Sequence, residues 1–579
     1  MSLDVAIVGG EVVDGTGSGR VRADIGIRNG RIVSIGKLDE PAARQIDAEG
    51  KVVAPGFIDV HTHYDAQVMW DGALSPSPFH GVTTVVAGNC GFTLAPLSKD
   101  SAPYVTEMLA RVEGMPLETL REGLDFGWQT FRQFLDRIEG NVAVNIGLLV
   151  GHSTIRRLAL GEDWRRAASD EEVASMKQLV AQSIEAGALG FSSTWSESHN
   201  DGNGDPVPSR FATAEELIEL SAVLRDYPGT WLEFTPIATQ MFPEDRIGLM
   251  AEMSAAANRL LNWNLLLFRR DIPDEAIASR LSASDVAREF GGEVIALTLP
   301  ILAPLRLNLG TGMLFDIEPA WAAVLAQPHD QKIRDLSDPD VRKRLAAAAG
   351  ESPHRWYRMH GLQFEHVESP QFADVQGMTI AAAAANRDVE PFDLLFDVAL
   401  ADDLRTVFFY PSDGDDPETW QRRVAAWHDP RTLIGGSDAG AHLDMLATFG
   451  YFTDLIGPSV RERKLLSLEA AIKLITYDAA AAFGLRGRGQ LDIGYCADVV
   501  VFDENEVGGL PVEPREDLPA NGMRLYNEAT GIDYVLVNGE VIIEHGELTN
   551  ARPGTVLRSG VHTTTVTPGS PRTVVPPAD

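Results

Sequence analysis

The chain has 579 residues, more than one ordinary hydrophobic core accommodates, so a large domain joined to a smaller one is expected. With 44% apolar and 23% charged residues it is not a disordered chain, and its net charge of −34 disfavours nucleic acid and anionic membrane as partners. Cys90 and Cys496 are too few for a disulfide framework, no basic and apolar leader follows Met1, and no apolar run spans a bilayer. A cytoplasmic location is the expectation.

The first elements are short strands: Asp4-Val-Ala-Ile-Val-Gly, then Ala23-Asp-Ile-Gly-Ile-Arg, turned by Asn29-Gly30 into Arg31-Ile-Val-Ser-Ile. Asn-Gly between alternating apolar residues predicts a type I′ hairpin. Eight β-type runs follow, at Ile58–Val60, Thr83–Ala87, Val142–Val150, Ala188–Ser193, Thr230–Phe234, Leu261–Leu267, Val294–Leu299 and Thr432–Ser437. Helical stretches alternate with them. Ser169-x-x-Glu172 and Thr213-x-x-Glu216 both read as capping boxes, the first opening a stripe of Val173, Met176, Val180 and Ile184.

Eight such units predict an α/β fold, a (β/α)8 TIM barrel over residues 56–482 with its chemistry at the strand C-termini. The segment from about 303 to 404 exceeds an ordinary connection and is expected to be an insertion over the mouth, serving as a lid or as a homo-oligomer contact. The C-terminal region repeats the opening grammar: Ala497-Asp-Val-Val-Val-Phe-Asp, then Tyr534-Val-Leu-Val, Asn538-Gly539 and Glu540-Val-Ile-Ile-Glu. Neither end can bury a sheet face alone, so residues 1–55 and 483–560 are expected to build one small β-sandwich, with 561–579 as a flexible tail.

The chemistry centres on His61-Thr-His63, at the end of the first predicted barrel strand. Residues i and i+2 of a strand share a face, so the two imidazoles can share one cation; a chance spacing is the plain alternative. Asp438 ends the last strand, a neighbour of the first in a closed barrel. Cys90 ends the second, as a soft ligand favouring Zn²⁺ or as a buried inert thiol. Metal-assisted hydrolysis of an amide-type bond in a small molecule follows, with Asp438 as metal ligand and proton shuttle. Weaker substrate-binding candidates are His152, His442 and Arg306, the last as a fork for a carboxylate; His199 lies in a loop that is either a substrate lip or simply solvated. His354, His360 and His366 show no ligand spacing and are expected to be structural.

Pro55-Gly-Phe-Ile-Asp-Val-His61-Thr-His63, Asp438, Leu466-Ser-Leu-Glu-Ala-Ala and Phe483-Gly-Leu-Arg-Gly-Arg-Gly-Gln-Leu-Asp-Ile-Gly together resemble the amidohydrolase superfamily. Gly88-Asn-Cys90-Gly-Phe, Gly151-His-Ser-Thr-Ile-Arg and Gly187-Ala-Leu-Gly-Phe-Ser-Ser look like its N-acyl-D-amino-acid deacylase branch. The resemblance implies zinc at the mouth, on His61, His63, Cys90 and Asp438, and hydrolysis of N-acyl-D-amino acids. It also implies a tighter metal site formed by the cysteine with histidines from strands five and six. Those strands read Trp231-Leu-Glu233-Phe-Thr235 and Asn262-Trp-Asn264-Leu-Leu here, without a histidine. One ion is therefore favoured over two, with Glu233 as a replacement ligand or substrate contact. Hydrolysis of a cyclic amide or imide, and an inactive barrel used for binding, are the alternatives.

Overall fold

The computed structural model describes residues 2–577 apart from 238–239, 313 and 353–356, so His354 lies outside the described residues. The fold is mixed α/β. Strands β1 (Leu3–Val12), β2 (Val21–Arg28), β3 (Arg31–Gly36), β4 (Ala42–Asp47) and β5 (Val52–Pro55) begin the chain. Asn29 and Gly30 take φ of 51° and 73°, positive at both central turn positions, so the hairpin is of the primed kind the sequence predicts.

Next come β6 (Phe57–Asp59), β7 (Val82–Ala87), β8 (Asn145–Leu148), β9 (Val150–Gly151), β10 (Gly190–Thr194), β11 (Trp231–Thr235), β12 (Leu260–Trp263) and β13 (Glu293–Thr298). Then follow β14 (Leu305–Leu307), β15 (Gln363–His366), β16 (Val407–Tyr410), β17 (Thr432–Ile434) and β18 (Val499–Phe502). The strands β6-β7-β8 pair in parallel, and so do β9-β10-β11-β12-β13-β17. Only Leu149 separates β8 from β9, and a parallel bridge between Thr62 and Ala439 brings the β6 end beside the β17 end. These strands are buried on both faces, and Ile58, Val60, Val86, Leu149, Leu189, Ile295, Leu297 and Leu433 pack with each other in one apolar cluster.

The end strands behave as one unit. β18 pairs antiparallel with β5 and with Ile532–Val537, so residues from both termini lie in a single nine-stranded sheet. Residues 561–577, expected to trail, are instead docked. Arg486 N donates to His562 O at 2.9 Å, Thr563 Oγ1 to Gly229 O at 2.7 Å and Gly487 N to Val575 O at 2.7 Å, while Val574 joins the strand cluster. Their Thr, Pro and Ser content reads as linker because the backbone bonds and scattered side-chain contacts that dock them follow no periodic pattern.

The insertion extends a little beyond its expected limit. β14, β16 and β15 form their own antiparallel sheet, so β16 closes the unit at Tyr410 rather than near 404. It owns a separate core including Leu307, Trp321, Leu336, Phe364, Phe396 and Phe408. Among the described residues, no helix is long and apolar enough to cross a membrane.

Candidate metal centre

His61 and His63 leave the end of β6 on an irregular segment tied to its neighbours. Thr62 N donates to Val86 O at 2.9 Å, His63 N to Ala439 O at 2.7 Å and Asp438 N to His61 O at 3.2 Å. The two rings stand 5.3 Å apart, centre to centre. Cys90 arrives from the turn after β7 in a left-handed conformation, φ 55°. That turn is packed tightly: a Cβ on Gly151 would lie 2.6 Å from the Gly91 carbonyl, so only glycine lets the β7 and β9 ends approach.

The result is a cluster of His61, His63 and Cys90 whose ligand atoms lie within 4.8 Å of one another, all three side chains buried. Asp438 Oδ1 lies 3.2 Å from His61 Nε2 and 3.7 Å from His63 Nε2, buried and without an aligned hydrogen bond of its own. Two imidazoles and a thiol brought together, with an unsatisfied carboxylate oxygen against both imidazoles, suit a zinc ion. Burial works against ionising Asp438, yet the adjoining imidazoles hold its carboxyl well below the usual range. Burial, helped by the Glu233 carboxylate, pushes the Cys90 thiol up to about 12. A divalent ion at this point would reverse that balance, since a coordinated thiol is deprotonated.

Around the cluster stand Glu113, Thr235 and Asn264, to which the sequence assigns no role, beside Glu233, His442 and His199, to which it does. Glu113, after the helix Ala102–Val112, places Oε1 3.1 Å from His63 Nδ1. Thr235 Oγ1 donates to Asn264 Oδ1 at 3.1 Å and lies 3.3 Å from Cys90 Sγ, and Asn264 Nδ2 is 3.1 Å from His61 Nε2. Glu233 is buried beside them, but one oxygen accepts Cys90 N–H at 2.7 Å and the other lies 3.2 Å from Thr235 Oγ1. It braces the cysteine turn. His442 reaches the same region with Nδ1 buried and unpartnered, its N–H given to Glu113 O at 2.5 Å. His199 Nδ1 lies 2.8 Å from Thr194 Oγ1, and the ring meets Phe92 edge-on.

Two expected substrate contacts are corrected. His152 has both ring nitrogens occupied, by Ser193 Oγ at 2.8 Å and Glu216 Oε1 at 2.9 Å, leaving none for an acyl oxygen. Arg306 sits within the insertion's sheet, its guanidinium forked onto Glu365 at 2.6 and 2.9 Å. The pairing that recommended it for a substrate carboxylate is spent on a protein one.

A cavity of about 360 Å³ opens between the insertion and residues 514–525, lined in part by Gly114, Thr311, Asp444 and Arg524 and by none of the cluster residues. Another, about 490 Å³, lies among Glu293, Trp427, Asp478 and Arg572 and touches none of the cluster.

A family profile described as the amidohydrolase family matches residues 44–543. A D-aminoacylase of Alcaligenes xylosoxydans xylosoxydans is 30% identical over 562 residues, covering 96% of this chain and 97% of its own. An N-acyl-D-aspartate deacylase of the same organism is 31% identical over 569 residues, covering 96% and 95%. The solved structure of an N-acyl-D-glutamate deacylase from Bordetella bronchiseptica, complexed with zinc and a phosphonate mimic of the tetrahedral intermediate, is 26% identical. It superposes with a TM-score of 0.65 over 96% of this chain and 100% of its own.

Proposed function

The chain belongs to the amidohydrolase family, and from that premise we propose a metal-dependent hydrolase of carbon–nitrogen bonds other than peptide bonds, acting on N-acyl-D-amino acids or related N-acyl compounds. The observation that carries this reading is the convergence of His61, His63 and Cys90 within 4.8 Å, with Asp438 against both imidazoles. The consecutive parallel strands and the Thr62–Ala439 bridge support a closed (β/α)8 barrel with the cluster at its C-terminal mouth. The sheet shared by both termini supports a small β-sandwich domain from residues 1–55 and 483–560 beside it.

His61, His63, Cys90 and Asp438 would hold one zinc ion rather than two. The side chains reaching the cluster from β11 and the end of β12 are Thr235 and Asn264, bonded to each other, where a second ion would want imidazoles. When bound, the ion would lower the pKa of a water and polarise the scissile carbonyl. Asp438 takes the proton from the attacking water and delivers it to the departing nitrogen as the C–N bond breaks, leaving a carboxylate and an amine. Glu233 keeps the Cys90 turn in place, and His442 offers its unpartnered Nδ1 to the substrate.

Metal analysis of the gently purified protein, paired with a panel of N-acetyl-D- and N-acetyl-L-amino acids, tests the reading. About one zinc per chain and acetate release from the D-series are expected. A metal-free protein that hydrolyses neither series would sink it.

A further inference from the structure

We propose that Glu113 is a positioning residue for the metal centre: it holds His63 at Nδ1 so that Nε2 faces the point shared with His61, Cys90 and Asp438. The inference rests on the metal-hydrolase reading above.

The geometry is one-sided. His63 has a carboxylate oxygen 3.1 Å from Nδ1, whereas His61 Nδ1 is buried with no hydrogen-bond partner. His61 is held from its other nitrogen, 3.1 Å from Asn264 Nδ2 and 3.6 Å from Cys90 Sγ. Of these two imidazoles, the Glu113 carboxylate therefore contacts only His63. Its own placement is costly in two ways. It is 2% exposed, and it caps the C-terminal end of the helix Ala102–Val112, where the helix dipole opposes an acid. A local rule broken in the interior beside a reactive cluster points to function rather than packing.

A carboxylate on the far nitrogen of a metal-binding imidazole fixes its tautomer and ring angle and strengthens it as a donor. Oε1 makes no aligned hydrogen bond in this structure, and such contacts tighten when the near nitrogen is engaged. The Glu113 backbone carbonyl separately accepts His442 N–H at 2.5 Å, a contact that side-chain substitution leaves in place.

The test titrates the full-length apoprotein with Co²⁺, reading the visible absorption band, for wild type, E113Q and E113A. E113A is expected to weaken binding about 10- to 100-fold and alter the band, with E113Q, which keeps an acceptor oxygen, in between. Wild type that binds Co²⁺ while E113A matches it in affinity and spectrum overturns the positioning role and leaves the hydrolase reading standing. Wild type that binds no Co²⁺ overturns both. A second measurement needs no substitution: ring ¹⁵N shifts of His63 in the zinc-loaded wild type are expected to report Nδ1–H. A proton on Nε2 instead overturns the proposal even if E113A fails to fold.

Discussion

Cys90, Asp438 and His442 share a left-handed backbone, with φ of 55°, 53° and 49°. For residues other than glycine each such conformation costs about 1–3 kcal/mol, and it persists only where the surroundings over-determine it. Here Cys90 N–H is fixed by Glu233, Asp438 N–H by His61 O and His442 N–H by Glu113 O. Backbone strain is thus held at three positions around the cluster, with Cys90 in it and Asp438 against both of its imidazoles. Asp438→Asn, which tolerates the same backbone, is expected to lower kcat/KM about 10²- to 10⁴-fold with zinc still bound through His61, His63 and Cys90. Unchanged turnover in steady-state assays would remove Asp438 as the proton carrier. A second titrating residue lies away from the centre. His80 is buried between Thr453 Oγ1 at 2.8 Å and Asn527 O at 3.2 Å, and burial pushes its pKa down to about 4. Between its ordinary value and that one the unfolded chain takes up a proton the folded chain refuses, so stability falls as pH falls. From pH 7.5 to 4.5 this group should cost about 2–3 kcal/mol, seen as a shallower pH dependence of the unfolding midpoint in His80→Gln. The sequence made His61, His63, Cys90 and Asp438 legible because strand ends and their order around a parallel sheet place them. It hid Glu113 because no periodicity links a helix cap to an imidazole on a distant loop.

At the scale of single elements, the two predicted capping boxes part company. Ser169 and Glu172 satisfy each other's backbone N–H groups as the pattern implies. Thr213 caps its helix alone, because the Glu216 carboxylate turns inward to His152 at 2.9 Å and Arg156 at 2.8 Å. Arg156 is fully buried, so the pull of an interior cation outweighs a surface cap. Sequence spacing reads the cap and cannot read the competing partner, which comes from the helix His152–Leu160. Glu216→Leu leaves that guanidinium uncompensated and is expected to destabilise the fold by about 3–5 kcal/mol, measured by denaturant unfolding. A loss below about 1 kcal/mol would mean that the three carbonyls already facing Arg156 suffice.

In the whole molecule, reactive groups gather where the parallel strands end, and the C-terminal residues gather where those strands begin. Gly229 precedes β11 and Glu293 opens β13; the first exchanges hydrogen bonds with Thr563 and Thr565, the second pairs with Arg572. Removing residues 561–579 should therefore lower the unfolding free energy by several kcal/mol, at about 1 kcal/mol per lost hydrogen bond plus the burial of Val574, and the midpoint with it. Turnover well below the new midpoint should persist, since the cluster lies at the other end. A variant as heat-resistant as the parent would show the docking to be energetically idle. The length of the segment from about 303 to 404 suggests an insertion; the separate core there was not legible, because apolar content does not say which residues meet.

The pairing of β5 with β18 joins Val52 to Phe502. During synthesis on the ribosome, β5 emerges with that edge bare and keeps it so until nearly the whole chain has been made. An unpaired strand edge is a template for other chains, so nascent protein is exposed to intermolecular pairing for most of its production. Slower expression at reduced temperature, or a chaperone that shields strand edges, should raise the yield of the native protein more than any change to its finished surface.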